Sequence, residues 1–360
     1  MKISALLVNY HTTPLLTGAV TSLREQQGIN GLEIIVVDNS ESDNEYARLR
    51  AALPSIVQTV QNQRNTGFAA ACNTALAHAS GEAVLLLNPD ARLRPGALAH
   101  LVTTLFASLR TAAVGPLTFW DDEERFALPP STFPSRSDYM RRAVSRLHPH
   151  LGARYAQAFR HKALQLWTAR APVQVEALSG GHVLLKRTAI DKAGGLFDER
   201  FFMYWEDSDL MQRLHHAGYR LFVAPRAHAI HHYDHHPGKD ALMSQGWPIY
   251  RAKHLKGRLS TRIAEFIERH AAPGLPTPPE LQPIAGEAIH IPVPTALQSA
   301  WLLEVSPAPD LVPAMGCIGQ GLHAEIPAKC WQRFTGGRYF IRLGSATLHN
   351  APQTCWSWLN

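Results

Sequence analysis

Three carboxylates directly after a run of large apolar residues carry the strongest chemical signal in this chain. The stretch FFMYWEDSDL, residues 201–210, places Glu206, Asp207 and Asp209 beside aromatic side chains. A carboxylate in a partly buried place is costly unless it is paired, bound to a metal or used in chemistry. Two interpretations follow. The acids cap a helix whose preceding aromatic residues belong to the core, or they are paired, bind a metal or take part in chemistry.

A further acidic position lies in NPDARLRP, where Asp90 follows Asn88 at the end of the apolar run AVLLL. An aspartate at a strand end can hold Mg²⁺ or Mn²⁺, which prefer oxygen ligands and usually bridge to substrate phosphates. Because only one carboxylate is present here, the other ligands would come from diphosphate oxygens, water and distant parts of the chain. The alternative is a β-turn that the aspartate caps.

Imidazole groups are dense in HAIHHYDHH, residues 228–236, which contains five histidines. Neutral imidazole suits Mn²⁺ and Zn²⁺ as a ligand. The spacing matches no closed structural zinc site, and no cysteine accompanies it. We therefore predict that one of these histidines is a metal ligand and that the others are exposed or cap the chain.

Short apolar runs alternate with helical segments in the first hundred residues. The predicted strands are residues 3–10, 32–38, 56–62 and 83–90. The predicted helices are residues 14–27, 67–79 and 95–110. Apolar strands without polar alternation are typical of a parallel sheet covered on both faces. The pattern predicts an open, doubly wound α/β sheet that binds ligands at the carboxyl ends of its strands, where Asn9, Asp38 and Asp90 fall.

The segment 131–170 differs from its surroundings in charge. It contains eight basic residues and a single acid, Asp138, with apolar side chains between them. Two interpretations stay open: a solvated helical face packed on the main domain, or a face that binds a membrane surface or a polyanion.

The second half of the chain suggests a domain boundary. Residues 1–274, which include the basic segment, are predicted to form the main domain, and the proline-rich stretch 275–283 a linker. Short β-like runs broken by proline and glycine predict a small, mostly β accessory domain at 284–360. The tryptophans of this domain fit either ordinary core packing or a sugar-binding platform.

Composition narrows the class of protein. A chain of 360 residues with 46% hydrophobic residues can bury a sizeable core, and a net charge of +6 favours an anionic partner. The four cysteines lack C-x-x-C spacing, which favours reduced thiols in a cytosolic protein. The first residues are interpreted as a strand rather than a signal peptide, and no apolar window approaches the roughly 20 residues of a membrane span. Any membrane contact is therefore expected to be peripheral.

The motifs together resemble a known family. VNYHTT, VVDNSESD, NTGFAAACN, LLLNPD, LSGGHVLLKR and GGLFDERFFMYWEDSDL, followed by a histidine, are similar in order and spacing to the inverting GT-A glycosyltransferases of family 2, especially the rhamnosyltransferase-like branch. The similarity covers about residues 3–235. It implies the doubly wound, mixed sheet of nucleotide-diphospho-sugar transferases. Neither the P-loop motif nor a dinucleotide-binding G-x-G-x-x-G after the first strand is present.

The resemblance also implies an activity. It is the transfer of a sugar from a UDP- or dTDP-linked donor to a glycan or lipid-linked acceptor, in surface polysaccharide assembly. No Q-x-x-R-W follows the acidic pair, which favours a single addition over processive synthesis. We expect a cytoplasmic enzyme, with any membrane contact at the inner face of the cell membrane.

Site roles follow from the same resemblance. Asp207 is implied as the catalytic base with Glu206 beside it, and Asp90 and His231 as ligands of Mn²⁺ or Mg²⁺. The adjacent His232 leaves open which imidazole faces the site. The predicted nucleotide contacts are Asn9, Asp38, Asn65, Gly67 and Asn88. The predicted contacts to acceptor or sugar are Gly180, Gly181, Tyr204 and Trp205.

Two rival functions belong to other classes. A catalytically inactive GT-A protein that binds glycans or acts as a scaffold would bind saccharides without turnover. A nucleic-acid-binding protein would bind oligonucleotides tightly and in a salt-sensitive way. The second rival depends only on the basic charge balance, and because no nucleic-acid motif is present we predict no nucleic-acid partner.

Overall fold

The computed structural model describes residues 1–232, 238–256, 259–271, 278–281, 287–347 and 353–359. The chain divides into two compact units. Unit 1 consists of Met1–Thr118, Ser131–Ser135 and Ala169–Lys256. Unit 2 consists of Phe119–Pro130, Arg136–Thr168 and Gly257–Asn360. Among the residues so described, no helix is long and apolar enough to cross a membrane.

Strands and helices alternate along most of the chain. The strands are β1 Ile3–Asn9, β2 Leu32–Asp38, β3 Gln58–Gln61, β4 Ala83–Leu87, β5 Ala91–Leu93, β6 Thr111–Phe119, β7 Val173–Val175, β8 His182–Lys186, β9 Arg220–His231, β10 Ile289–Pro292, β11 Trp301–Ser306, β12 Met315–Gly319, β13 His323–Ile326, β14 Arg338–Ser345 and β15 Thr354–Leu359. The helices are α1 Thr13–Arg24, α2 Asp43–Ala52, α3 Phe68–Ala77, α4 Ala97–Phe106, α5 Arg136–Ser145, α6 Pro149–Trp167, α7 Arg187–Lys192, α8 Glu206–His216, α9 Lys239–Tyr250, α10 Leu259–His270 and α11 Ala328–Trp331. A π-helical turn, Arg251–Leu255, follows α9 directly.

Unit 1 is built on a nine-stranded mixed sheet. Its order is β3-β2-β1-β4-β8-β6-β9-β5, and β7 pairs with β9. The strands β1 to β4 run parallel to their neighbours among themselves, whereas β8 is antiparallel to β4 and to β6. Every residue of β1, β4 and β8 is buried, as expected of strands covered on both faces. The predicted α/β fold class, a doubly wound mixed sheet followed by a small β region, is confirmed.

The carboxyl ends of the strands receive polar residues by register. The parallel pairing of β1 with β2 puts Asn9 opposite Asp38. The predicted strand 83–90 ends earlier, at Leu87, because Pro89 has no N–H to continue the ladder. Asn88 and Asp90 therefore lie in the turn between β4 and β5, at the same edge of the sheet.

Unit 2 contains a four-stranded antiparallel sheet of order β12-β11-β14-β15 and a two-stranded pair of β10 with β13. Of the four tryptophans of the predicted accessory domain, Trp301 and Trp358 are buried in the core, whereas Trp331 and Trp356 are half-buried against it. Core packing thus accounts for the first two. Helix α5 packs against α6 and α10, which belong to the same unit.

A buried ion triad joins the basic helices to the small sheet within unit 2. The Nε atom of Arg160, on α6, lies 2.8 Å from Glu304 Oε2 on β11, and Arg342 Nη2 on β14 lies 2.6 Å from Glu304 Oε1. Arg160 also donates from Nη2 to the carbonyl oxygen of Ser345 at 2.7 Å. These contacts explain why Arg136–Thr168 clusters with the C-terminal region, whereas the sequence-based division counted it with the first domain.

The predicted linker 275–283 is described only at 278–281. There Leu281 N donates to Ser357 O at 2.7 Å, and Glu280 forms an isolated bridge with Ser357. This part of the stretch therefore pairs with β15 of unit 2. The other residues of the predicted linker lie outside the described part of the chain, and the boundary at 274 stays a prediction.

Candidate active site

The first two strands of unit 1 end in a buried polar pair. Asn9 Nδ2 donates to Asp38 Oδ1 at 2.8 Å, and Ser40 Oγ donates to Asp38 Oδ2 at 2.8 Å. Asn9 and Asp38 are both fully buried, at 0% exposure. Hydrogen bonds therefore hold the Asp38 carboxylate in one orientation at the edge of the sheet where ligands of doubly wound folds bind. Its contact with a nucleobase stays a prediction.

Asn39 organises the loop that follows β3. Its Nδ2 donates to Asn65 Oδ1 at 2.8 Å, and its Oδ1 accepts from Asn62 Nδ2 at 3.0 Å and from Thr66 N at 3.1 Å. Asn65 Oδ1 also accepts from Gly67 N at 3.0 Å. The predicted nucleotide residues Asn65 and Gly67 are thus fixed to the end of β2. Asn39 was not among the predicted site residues, because an asparagine after a strand is equally typical of a turn.

The loop makes a close backbone approach to the acidic stretch. Gly67 has a positive φ of 82°, and a Cβ added to it would lie 2.3 Å from the carbonyl oxygen of Phe202. Phe68 N, at the start of α3, donates to that carbonyl at 2.7 Å. Only glycine fits here, and the predicted nucleotide loop and the FFMYWED segment are consequently in direct contact.

Asp90 and His231 face each other. Strand β5 pairs with β9 so that Ala91 lies opposite His231, and this register brings Asp90 Oδ1 to 3.2 Å from His231 Nε2. The structure thereby distinguishes the two adjacent histidines, because it is His231 that reaches the Asp90 carboxylate. Of the other histidines in the cluster, His235 and His236 lie outside the described residues.

The surroundings of this pair fit a divalent ion. A Cβ on Gly181 would lie 2.8 Å from Asn88 Nδ2 and 3.2 Å from His231 Cε1, so the glycine keeps this place open. One carboxylate oxygen and one imidazole nitrogen are suitable donors for Mn²⁺ or Mg²⁺. Within the described residues no group of three or more His, Cys, Asp or Glu side chains could hold a metal. Two protein donors would leave coordination positions of the cation open. This arrangement is expected if substrate oxygens complete the coordination.

A second imidazole, which sequence analysis missed, lies behind His231. The ring centroids of His182 and His231 are 5.3 Å apart, with the rings edge to face. Burial, with a contribution from His231, lowers the pKa of His182 to about 3, so this imidazole is neutral. Neither ring nitrogen of His182 has a hydrogen-bond partner among the described residues. The position of His182 directly after the glycine pair in LSGGH was the feature of the sequence that could have indicated it as a site residue.

The backbone before the acidic pair is strained. Tyr204 and Trp205 have φ values of 69° and 73°, a left-handed conformation that costs non-glycine residues about 1–3 kcal/mol each. Packing of Trp205 opposes this cost. Its Nε1 donates to Met243 O at 2.8 Å, and its ring lies 5.0 Å from Trp247 and 5.2 Å from Tyr250. The indole is thus held by α9, and the sugar contact predicted for Trp205 stays a prediction.

Two adjacent acids at the start of α8 have different environments. Asp207 Oδ2 accepts from Gly180 N at 3.2 Å and its Oδ1 accepts from Ser208 N at 2.6 Å. Burial raises the pKa of Asp207, and these N–H groups oppose the rise. Burial and the neighbouring Asp207 raise the pKa of Glu206 well above its usual range, and Glu206 Oε2 has no hydrogen-bond partner within the described part of the chain.

The glycine pair connects the base to the metal ligands. Gly180 N contacts the Asp207 carboxylate, and the next residue, Gly181, accepts a hydrogen bond from Asn88 N at 2.8 Å and adjoins His231. Burial, then the nearby Glu206 and Asp90 carboxylates, raise the pKa of the Tyr204 phenol. A candidate base and a candidate metal pair are thus assembled around two consecutive backbone positions.

Asp209, the third acid, makes ion pairs that hold the structure together. It is fully buried, and its Oδ2 lies 2.8 Å from Arg213 Nε. Its Oδ1 lies 2.7 Å from Lys253 Nζ and 2.7 Å from His254 Nε2. The carboxylate therefore ties the first turn of α8 to the π-helical turn after α9. Asp209 anchors the helix that carries Asp207.

We expect this anchor to make stability depend on pH in acid. Burial alone would raise the pKa of Asp209, but hydrogen bonds from His254, Lys253 and Arg213 outweigh it and hold the pKa at about 2, below the ordinary 3.8. A lowered folded-state pKa stabilises above about pH 4, and that stabilisation is lost as the pH falls toward about 2. Asp209→Asn should lower the free energy of unfolding by about 2 kcal/mol at neutral pH.

Urea unfolding followed by fluorescence from about pH 7 down to about pH 3 measures this effect. The difference between wild type and Asp209→Asn should shrink as the pH falls. Asp191→Asn, at an exposed carboxylate on α7, is the matched control and should follow wild type. If the free energy of unfolding changes equally with pH in wild type and in Asp209→Asn, Asp209 is not the group that makes stability depend on pH.

Part of this chain matches a glycosyltransferase family, and the chain is similar to known rhamnosyltransferases. The sequence model described as "Glycosyl transferase family 2" matches residues 4–167. N-acetylglucosaminyl-diphospho-decaprenol L-rhamnosyltransferase of Mycobacterium tuberculosis is 29% identical over 256 residues, which cover 67% of this chain and 76% of that protein. Rhamnosyltransferase WbbL of Escherichia coli is 42% identical over 65 residues, which cover 18% of this chain and 24% of that protein.

A solved structure is also similar. Mannosyltransferase PcManGT from Pyrobaculum calidifontis, in complex with GDP-Man and Mn²⁺, has 21% sequence identity and a TM-score of 0.44, and the match covers 74% of this chain and 68% of that one. The family-model match spans the strands and turns that carry Asp38 and Asp90. This chain is thus similar to the family 2 glycosyltransferases over residues 4–167, and to the two rhamnosyltransferases named above.

Proposed function

We propose that this glycosyltransferase moves one sugar, with inversion, from a UDP- or dTDP-linked donor to a glycan or lipid-linked acceptor in surface polysaccharide assembly. The observation that carries the proposal is the joining of Asp207 to the Asp90–His231 pair through Gly180 and Gly181. The printed name of the mycobacterial relative supports rhamnose as the first sugar to test, and a saccharide on a polyprenyl diphosphate as the first acceptor. Such an acceptor would place the reaction at the inner face of the cell membrane.

Asp207 would act as the general base. Its carboxylate takes the proton of the acceptor hydroxyl while the hydroxyl oxygen forms a bond to the anomeric carbon. The bond from that carbon to the diphosphate breaks on the opposite face, so the anomeric configuration inverts. The N–H groups of Gly180 and Ser208 orient the carboxylate and favour its ionised form. Glu206, whose Oε2 has no hydrogen-bond partner within the described residues to orient it, is the weaker candidate for the base.

Asp90 and His231 would hold Mn²⁺ or Mg²⁺. When bound, the cation supplies charge neutralisation for the leaving nucleoside diphosphate. Asn88, through its hydrogen bond to Gly181, fixes the turn that presents Asp90. Asn9 orients Asp38, and Asn39 orients Asn65 and Gly67, so we assign the nucleoside to this edge of the sheet.

Calorimetric titration of UDP and dTDP, with and without Mn²⁺, tests the donor site. We expect one nucleotide to bind in a metal-dependent way, and Asp90→Ala to weaken that binding at least about tenfold because an oxygen ligand is removed. Removal of metal with a chelator should weaken wild-type binding by a similar factor and leave Asp90→Ala unchanged. Asp240→Ala, at an exposed carboxylate on α9, is the matched control and should bind as wild type does.

Two outcomes would contradict the proposal. If neither nucleotide binds wild type under any condition, the donor site is wrongly assigned. If the nucleotide binds but wild type transfers no sugar to saccharide acceptors, the protein is a binding or scaffolding protein with a glycosyltransferase fold.

A further inference from the structure

Helix α10 in unit 2 carries an exposed apolar row. Leu259, Ile263 and Phe266 are 73%, 44% and 64% exposed, and their spacing of four and three residues puts them on one face. The opposite face is occupied, because Ala264 is fully buried and Glu268 Oε2 accepts from the hydroxyl of Tyr139 on α5 at 2.8 Å. One side of α10 therefore packs on its own unit, and the other presents large apolar side chains to solvent.

Cations border this apolar row. Arg262 and Arg269 are exposed on α10. The helix carries two acids. Glu265 has a side chain that is only 14% exposed, and it lies 3.9 Å from Nη2 of Arg269, whose own side chain is 73% exposed. Glu268 is bonded to α5. Apolar and basic side chains together on one exposed helical face are typical of helices that lie in a membrane interface.

The neighbouring helix α5 extends the positive charge. It packs against α10, and its Arg141 and Arg142 are exposed. Asp138 is the only acidic residue in the whole stretch 136–170. Asp138 lies 3.6 Å from Arg141 Nη2. The exposed side chains of the two packed helices thus have an excess of positive charge, which complements an anionic surface.

We propose that α10 docks the protein on an anionic phospholipid surface, with Leu259, Ile263 and Phe266 inserted between the lipids and Arg262 and Arg269 against the phosphates. A helix of 12 residues is about 18 Å long, too short to span a bilayer, so it lies in the plane of the interface. Charge complementarity selects a lipid over a second copy of the chain, because two such faces would bring like charges together. This inference goes beyond the proposed function, since it requires no donor or acceptor.

Co-sedimentation of the full chain with vesicles tests the proposal. Wild type should bind vesicles of phosphatidylcholine with phosphatidylglycerol better than vesicles of phosphatidylcholine alone, and added salt should weaken this binding. The double variant Leu259→Ser/Phe266→Ser should bind at least about tenfold more weakly, because two inserted side chains are lost. Arg262→Gln/Arg269→Gln should lose the preference for the anionic vesicles.

A matched control distinguishes the effect of the apolar row on α10 from the effect of any exposed apolar side chain. Leu322, also in unit 2, is 62% exposed, and Leu322→Ser should bind vesicles as wild type does. Circular dichroism melts check that each variant folds, and nucleotide titration checks the candidate donor site separately. A variant that keeps nucleotide binding but loses vesicle binding supports the docking proposal whatever the donor proves to be.

Three outcomes would overturn the proposal. Wild type fails to bind anionic vesicles, or the Leu259/Phe266 double variant binds them as wild type does. Alternatively, sedimentation velocity shows a dimer that this double variant dissociates, in which case the apolar row is a contact between copies of the chain.

Discussion

Asp207→Asn should lower kcat by about 10³-fold and leave nucleotide binding within about twofold of wild type. General-base catalysis contributes about 10²–10⁴-fold, and an amide cannot take the acceptor proton. The substitution keeps the size of the side chain and an oxygen that can accept from Ser208 N, so the structure should persist. Steady-state transfer with the nucleotide sugar that wild type turns over, together with calorimetry, measures both quantities.

The pH profile gives a second readout of the same group. Burial raises the pKa of Asp207. The pKa that describes the fall of kcat in acid should therefore lie above the ordinary pKa of an aspartate. Glu206→Gln is the informative comparison, since Glu206 is buried beside the base but has a pKa well above its usual range. If Glu206→Gln loses activity about 10³-fold while Asp207→Asn stays within tenfold, the base is Glu206 and the assignment is wrong.

Glu304→Gln should destabilise unit 2 by about 3–5 kcal/mol. Glu304 is 1% exposed and lies between the guanidinium groups of Arg160 and Arg342, and a neutral side chain there leaves two buried cations without their anion. Removal of one partner from a buried ion cluster has costs of about this size. Urea unfolding followed by tryptophan fluorescence measures the loss, since Trp301 and Trp358 lie in the core of the same unit.

Two controls make this expectation specific. Glu123→Gln breaks an exposed ion pair with Lys329 in unit 2 and should leave stability nearly unchanged. Replacement of Glu304, Arg160 and Arg342 together by apolar residues of similar volume should recover most of the lost stability, because no buried charge remains. Equal stability of Glu304→Gln and wild type would show that the triad is not an energetic link between α6 and the small sheet.

The sheet of unit 1 could be predicted from sequence because each of its strands is marked by a pattern of neighbouring residues. Strand Leu32–Asp38 has the predicted bounds, since a buried parallel strand is a continuous apolar run ended by a polar residue. The proximity of Asp90 to a histidine was implied by motif order. Which of the two adjacent histidines reaches it depends on the register of β5 with β9, and a one-residue shift would exchange them.

Other features depend on contacts that no local pattern contains. The indole of Trp205 is directed by two positive φ angles and by the carbonyl of Met243, 38 residues later in the chain. The grouping of α5 and α6 with unit 2 depends on Arg160 meeting Glu304 across 144 residues. His182 followed a recognised glycine pair, but only the fold shows that its buried ring lies against His231.

Unit 2 is built from three separate segments of the chain. This determines where the protein can be truncated and in what order its parts can fold during synthesis. Arg160 is synthesised 144 residues before Glu304, so α6 must wait for its anionic partner while the rest of unit 1 is completed. A chain terminated after α10 would retain Arg160 without Glu304 and Arg342, and the sheet surface that covers α6 would be missing. Unit 1 is therefore not obtained by a single cut. Isolating it would also require excision of the segments Phe119–Pro130 and Arg136–Thr168, which belong to unit 2.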